Sequence, residues 1–174
     1  MQLLNTSAGT GSMNMTIRFT IAYIVNTYGD MLYKLAMSQL NNASDAYDAV
    51  QDVMLKIHTS PPACVYGNDS EHVKAWLLRA VINRCRDYNR TAKCHETVEL
   101  CEIYGYSREE GDYDLQEALA NLPQKYRETL YLHYYEGYKI SEIAKILKCG
   151  ESGIKKRLVK GREMLRAKLE GGGK

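Results

Sequence analysis

The stretch Tyr138–Leu158, YKISEIAKILKCGESGIKKRL, decides the fold. Its first segment sets Ile143, Ala144 and Leu147 on one side, breaks at Lys148-Cys149-Gly150, and is followed by Ile154 and Leu158 four residues apart. Two short helices that cross closely need a small residue at the crossing, apolar residues around it and a tight turn between them; Ala144 is that small residue. With Ile154 and Leu158 inward, the helical period turns Ser152, Lys155, Lys156, Val159 and Lys160 outward. Such a face suits a major groove, with Arg157, Arg162 or Arg166 in reach of phosphates. Leu165 and Leu169 are expected to continue the buried side. The plainer alternative is a helical hairpin with a solvated basic face, and the inner alanine and the turn spacing favour a helix-turn-helix over it. One departure is visible: such turns commonly place Gly directly after the inner helix, where Lys148 stands here.

Working outward, the near-neutral total of +2 hides strong polarity. Residues 138–174 carry eleven basic against four acidic side chains, residues 61–95 six against three, and residues 96–114 one against seven. Two regions thus suit a polyanion, and an acidic connector lies between them. With 45% apolar residues the chain can bury a proper core. Five cysteines at irregular spacing and no signal-peptide pattern fit a reducing cytoplasm. No apolar run is long enough to cross a bilayer.

The apolar residues recur at three- and four-residue spacing, so the fold class is all-α: two small helical domains joined by an acidic linker. The expected boundaries are a flexible N-terminus at 1–14, a first domain at 15–93, the linker at 94–114, a second domain at 115–170 and a flexible tail at 171–174. The first helix is expected over roughly Thr16 to Leu40, with a break near Gly29. A second, capped by Ser44, carries an apolar stripe of Val50, Val53, Met54 and Ile57, with Asp45, Asp48 and Asp52 on another face. Turn chemistry follows in TSPPACVYGNDS (59–70), with Ser70 as the next cap. The third helix buries Trp76 or Leu77, Val81, Cys85 and Tyr88, and leaves a stripe of Arg79, Asn83, Arg86 and Arg90. Asp87 is expected to pair with a neighbouring arginine.

Three segments together carry a family likeness: DAYDAVQDVMLKIH (45–58), AWLLRAVINRCRDYNR (75–90) and LPQKYRETLYLHYYEGYKISEIAKIL (122–147). In this order and spacing the chain resembles the extracytoplasmic-function group of bacterial RNA polymerase sigma factors, which keeps sigma regions 2 and 4. Asp48, Val50, Gln51 and Asp52 match the family's Asp-x-Val-Gln-Glu; Trp76, Leu77, Arg79, Asn83 and Asp87 match its Trp-Leu, Arg, Asn and Asp pattern. The resemblance implies that Asp45, Asp48, Gln51 and Asp52 dock on the beta-prime clamp helices of core RNA polymerase, with the beta flap as a further contact. It implies that Arg79, Asn83, Arg86 and Arg90 meet the minus-10 element, and that the loop from Cys64 to Ser70, with Tyr66 and Asn68, holds a flipped base. It implies minus-35 reading by Ser152, Lys155, Lys156, Val159, Lys160 and Arg162. The family often has Thr at Gly153 and Arg at Lys160, and Lys lacks the bidentate guanine contact of Arg. An anti-sigma factor is the regulatory partner the family commonly has; no residue here identifies one.

A stand-alone helix-turn-helix regulator is the second reading, and it leaves the 45–58 helix and the basic stripe of the Trp76 helix without a role. A metal or redox sensor using Cys85, Cys94, His95 and Cys101 is the third, weakened by the absence of any Cys-x-x-Cys. No phosphate loop or nucleophile elbow occurs, so no enzyme activity and no cofactor or metal are expected.

Overall fold

A computed structural model describes residues 19–92 and 113–171, so the expected N-terminal tail, most of the linker and residues 172–174 lie outside the described residues. Within them the regular structure is helical throughout: α1 (Ile21–Leu40), α2 (Ala43–Thr59), a 3₁₀ turn (Ala63–Tyr66), α3 (Ser70–Ala92), α4 (Tyr113–Ala120), α5 (Gln124–Tyr134), α6 (Ile140–Leu147) and α7 (Glu151–Gly171).

The helices of the N-terminal half start and stop on local chemistry. Thr20 caps α1 by accepting from Tyr23 N–H at 3.2 Å. Helix α1 then runs unbroken through Gly29, against the expected break, because Tyr28 and Leu32 on either side of it are buried. It ends at Asn41 in the left-handed region (φ 54°), where Asn is among the better tolerated residues. Asn42, and not Ser44, caps α2, its side-chain oxygen accepting from Asp45 N–H at 2.9 Å. Pro61 and Pro62 prevent α2 from continuing. Asp69, one residue ahead of the expected Ser70, caps α3 by accepting from the amides of Glu71 and His72 at 3.0 and 3.1 Å. In both cases an Asx carboxamide or carboxylate lies before the serine and outcompetes its hydroxyl.

Helices α1, α2 and α3 pack around Ile24, Leu32, Leu35, Ala46, Ala49, Val53, Leu77, Leu78, Val81 and Cys85, all buried. Val50 and Met54 are only half-buried; Ala46 and Ala49 complete the inner stripe of α2 in their place. Trp76 and Tyr88 are likewise half-buried against the core, while Leu77 is fully buried. Val65 of the 3₁₀ turn is also buried, and its carbonyl accepts from Phe19 N–H at 3.2 Å, so the long connection is pinned to the bundle.

In the C-terminal half, α5, α6 and α7 pack around Leu130, Leu132, Ile143, Ala144, Ile146, Ile154 and Leu158. The buried side of α7 stops short of the expectation: Leu165 is half-buried and Leu169 is exposed. Gly161 lies at the α5–α7 crossing, where a Cβ would stand 3.2 Å from Leu130 Cδ1 and 3.4 Å from Tyr126 Cβ. Lys148 itself takes the left-handed conformation (φ 51°, ψ 51°) that closes α6, with Cys149 N–H donating to Ala144 O at 3.0 Å. The turn is therefore made without the usual glycine, at a conformational cost of about 1 kcal/mol.

Two stability changes follow. Lys148→Gly is expected to raise unfolding free energy by about 1 kcal/mol by removing that cost. Gly161→Val is expected to lower it by about 2 kcal/mol through overpacking at the crossing. Urea unfolding of the full chain, followed by circular dichroism, checks both.

Candidate nucleic-acid interface

Helix α7 presents two different sides. Ile154 and Leu158 are buried, while Ser152, Lys155, Lys156, Val159, Lys160 and Arg162 are all exposed, Val159 at 48%. Lys160 pairs with Glu163 at 3.3 Å and Arg162 donates to Tyr134 Oη at 3.4 Å. Such exposed pairs are worth little and rearrange readily around a stronger anion. The inner helix α6 is fixed beneath α7: Ala144 is buried, and Glu142 accepts from Lys139 N–H at 2.7 Å, half of a capping box, since lysine has no acceptor to complete it.

The basic stripe of α3 lies against the C-terminal half. Arg79 Nη2 donates to Lys145 O at 2.8 Å, in the last turn of α6. Arg86 forks onto Glu128, Nε to Oε1 at 2.8 Å and Nη2 to Oε2 at 2.5 Å, and also donates to Asn83 Oδ1 at 3.3 Å. Asn83 itself is exposed, and Arg90 pairs with Asp87 at 3.0 Å, as expected of Asp87. Glu128 is completely buried, and its hydrogen bonds hold the Arg86 guanidinium above the usual arginine range, with burial opposing. Arg127, beside it, is also buried; its Nη2 donates to Gln39 O at 3.0 Å and its Nη1 to Ala120 O at 2.6 Å. Burial pulls the Arg127 pKa down, with Glu128 opposing. Lys74 and Glu136 add a partly buried pair at 3.1 Å.

Glu128, Arg127 and Gln39 thus join the two halves, a role that the sequence reading missed. One signal was available: Glu128 stands four residues before Leu132, on the buried stripe of α5, where an acid needs a buried cation.

On α2, Asp48 and Gln51 are exposed and Asp45 lies half-buried in the first turn. Asp52 is already engaged, accepting from Arg84 Nε at 2.7 Å and Nη2 at 2.6 Å, with Tyr88 Oη at 3.4 Å. Burial first, then Asp52, raises the Tyr88 phenol pKa. Tyr47 and Leu55 are 57% and 60% exposed and share the face of Gln51, four residues away on either side. Their exposure was legible only once burial was known.

In the connection before α3, Tyr66 is half-buried against the core and Asn68 is exposed at its rim. Cys85 is buried and, of the four sensor candidates, the one within the described residues; burial, with Glu128 adding, pushes its thiol up to about 12. Among the described residues no group of three or more His, Cys, Asp or Glu side chains could hold a metal ion, and no helix is long and apolar enough to cross a membrane.

Comparison with known proteins places the chain in a family. The family profile for sigma-70 region 2 matches residues 24–94, and that for sigma-70 region 4 matches residues 113–165. The chain is 30% identical over 152 residues to the ECF RNA polymerase sigma factor SigM of Mycobacterium tuberculosis, covering 85% of this chain and 76% of that one. It is 27% identical over 158 residues to the RNA polymerase sigma factor SigV of Bacillus subtilis, covering 88% and 93%. Among solved structures, the fold is similar to the sigma factor RpoE, crystallised with the anti-sigma factor NepR from Bartonella quintana. That match has a TM-score of 0.69 at 24% identity, over 84% of this chain and 94% of that chain. It is also similar to CnrH in complex with the cytosolic domain of CnrY, with a TM-score of 0.63 at 22% identity over 87% and 88%.

Proposed function

The chain belongs to the ECF group of RNA polymerase sigma factors, and from that membership we propose that it binds core RNA polymerase, directs it to promoters and helps to open the minus-10 region. The observation that carries the DNA-reading part is the outward side of α7: six side chains, four of them cationic, stand exposed while Ile154 and Leu158 of the same helix are buried. A free-standing regulator would need no second basic face on α3 and no solvent-facing polar and apolar strip on α2. The chemistry of RNA synthesis is the polymerase's, and the sigma chain contributes binding alone; its place of action is the cytoplasm, where the polymerase works.

In this reading Asp48 and Gln51, with Asp45 and Asp52 near them and Tyr47 and Leu55 as apolar anchors, form the docking face for the beta-prime clamp helices. The C-terminal half meets the beta flap. Arg79, Asn83, Arg86 and Arg90 follow the minus-10 non-template strand, with Tyr66 and Asn68 at the pocket for an unstacked base. Ser152, Lys155, Lys156, Val159, Lys160 and Arg162 read the minus-35 element. Phosphate neutralisation supplies much of the affinity, so binding weakens steeply with salt.

Lys155→Glu with Lys156→Glu is expected to abolish promoter-dependent transcription by reconstituted holoenzyme while core binding survives; unchanged transcript yield would count against α7 as the minus-35 reader. Asp48→Ala with Gln51→Ala is expected to weaken core binding about tenfold, the effect of losing roughly 1.4 kcal/mol, and to leave duplex affinity unchanged. A pull-down on core polymerase, alongside a duplex gel shift, measures the two effects separately.

A further inference from the structure

Asp52, on the α2 face read above as the polymerase dock, is held by α3 through a single oxygen. Arg84 Nε donates to Oδ2 at 2.7 Å, Arg84 Nη2 stands 2.6 Å from the same atom, and Tyr88 Oη reaches it at 3.4 Å. Oδ1 has no hydrogen bond among the described residues and is not buried. Glu128 offers the contrast: there Arg86 places one nitrogen on each oxygen, and the carboxylate is satisfied out of reach of water. At Asp52 both guanidinium nitrogens converge on one oxygen. The carboxylate is anchored, and the acceptor sites of its other oxygen remain open.

The anchor is itself braced. The Arg84 guanidinium carbon lies 4.8 Å from the centroid of the Tyr88 ring, a cation–π contact from one turn further along α3. The hydrogen bond to Asp52, with burial opposing, holds the Arg84 guanidinium above the usual arginine range. The Arg84 and Asp52 side chains are 42% and 38% exposed, so the bridge stands where a partner can meet it. A pair this exposed adds little stability. Its effect is geometric, because it stops the Asp52 carboxylate from turning. Asp48, one turn earlier on α2, is exposed and has no such anchor among the described residues. The family pattern matched on α3, at Trp76, Leu77, Arg79, Asn83 and Asp87, includes neither Arg84 nor Tyr88.

We propose that Arg84 and Tyr88 are positioning residues for polymerase docking: they pin Asp52 by Oδ2 and present Oδ1 as a preset acceptor for one N–H of a cationic side chain on the polymerase. The proposal rests on the reading of α2 as the docking face. An acceptor fixed in advance binds more tightly, because its ordering is complete before the partner arrives. The charge of Arg84 acts in the opposite direction, since a cation beside Asp52 repels the incoming one. That repulsion is screened at so exposed a site, and the preset geometry outweighs it.

The opposite signs make the test decisive. Affinity of the full chain for immobilised core RNA polymerase is measured by surface plasmon resonance for wild type, Asp52→Asn, Arg84→Gln and the double variant. Arg84→Gln is expected to weaken binding about threefold, the effect of leaving one side chain to be ordered on association. Charge alone predicts tighter binding. In the Asp52→Asn background the same change is expected to have no further effect, because Arg84 acts through Asp52. Tyr88→Leu removes the ring and hydroxyl and no charge, and is expected to weaken binding about twofold. Unchanged or tighter binding by Arg84→Gln overturns the positioning role, and so does an equal loss in the Asp52→Asn background. Wild-type affinity in Tyr88→Leu overturns the part given to Tyr88. If Asp52→Asn alone leaves affinity unchanged, the docking role of Asp52 fails and the proposal fails with it. Circular dichroism verifies folding; should Arg84→Gln not fold, Arg84→Lys, which keeps the charge and loses the two-nitrogen grip, takes its place in the cycle with the same loss expected and the same overturning results.

Discussion

A carboxylate with no access to water needs a cation held in place, and at Glu128 that requirement organises the molecule. Burying such a charge costs several kcal/mol unless both oxygens are satisfied. Among the described residues Arg86, 42 positions earlier in the chain, satisfies both. The pair therefore ties α5 to α3, beside the packing of α5 on α1 and of α6 on α3. Arg127, next in sequence and also buried, ties the same helix to the end of α1. A bidentate ion pair sets register sharply but adds little net stability over an apolar contact of equal volume. Such a joint is specific in geometry and reversible.

The fold was legible in the sequence where a single helix decided it. The helical period alone placed Ile154 and Leu158 inside and the lysines of α7 outside, and the need for a small residue at a close crossing placed Ala144, which is buried. The ends of helices were less legible. At α2 and α3 a serine stood at a plausible cap, and an Asn or Asp ahead of it won because its side chain reaches the first-turn amides better. The turn after α6 has no glycine at its usual place, and Lys148 meets the need by adopting the left-handed conformation directly.

What lay beyond the sequence was the relation between the halves. Each element of that seam, Arg86, Glu128, Arg127 and Gln39, looks ordinary in its own helix, and its partner is between 42 and 88 residues away. Helical periodicity reports which face is buried and is silent about what buries it. The exposed Tyr47 and Leu55 were hidden for the opposite reason: a stripe of mixed apolar and polar residues on α2 looks the same whether it meets the chain's own core or solvent.

Cys85 gives the seam a clock. Its thiol is fully buried beneath Glu128 and Arg127, and with its pKa near 12 almost none is thiolate at neutral pH. Attack by an alkylating reagent then waits for exposure, because only a solvated thiol regains ordinary acidity and nucleophilicity. The rate at which this one side chain is modified therefore counts openings of its surroundings in the native protein, in the way that amide exchange counts local unfolding. The molecule carries, within its own core, a chemical reporter of how often that core is exposed.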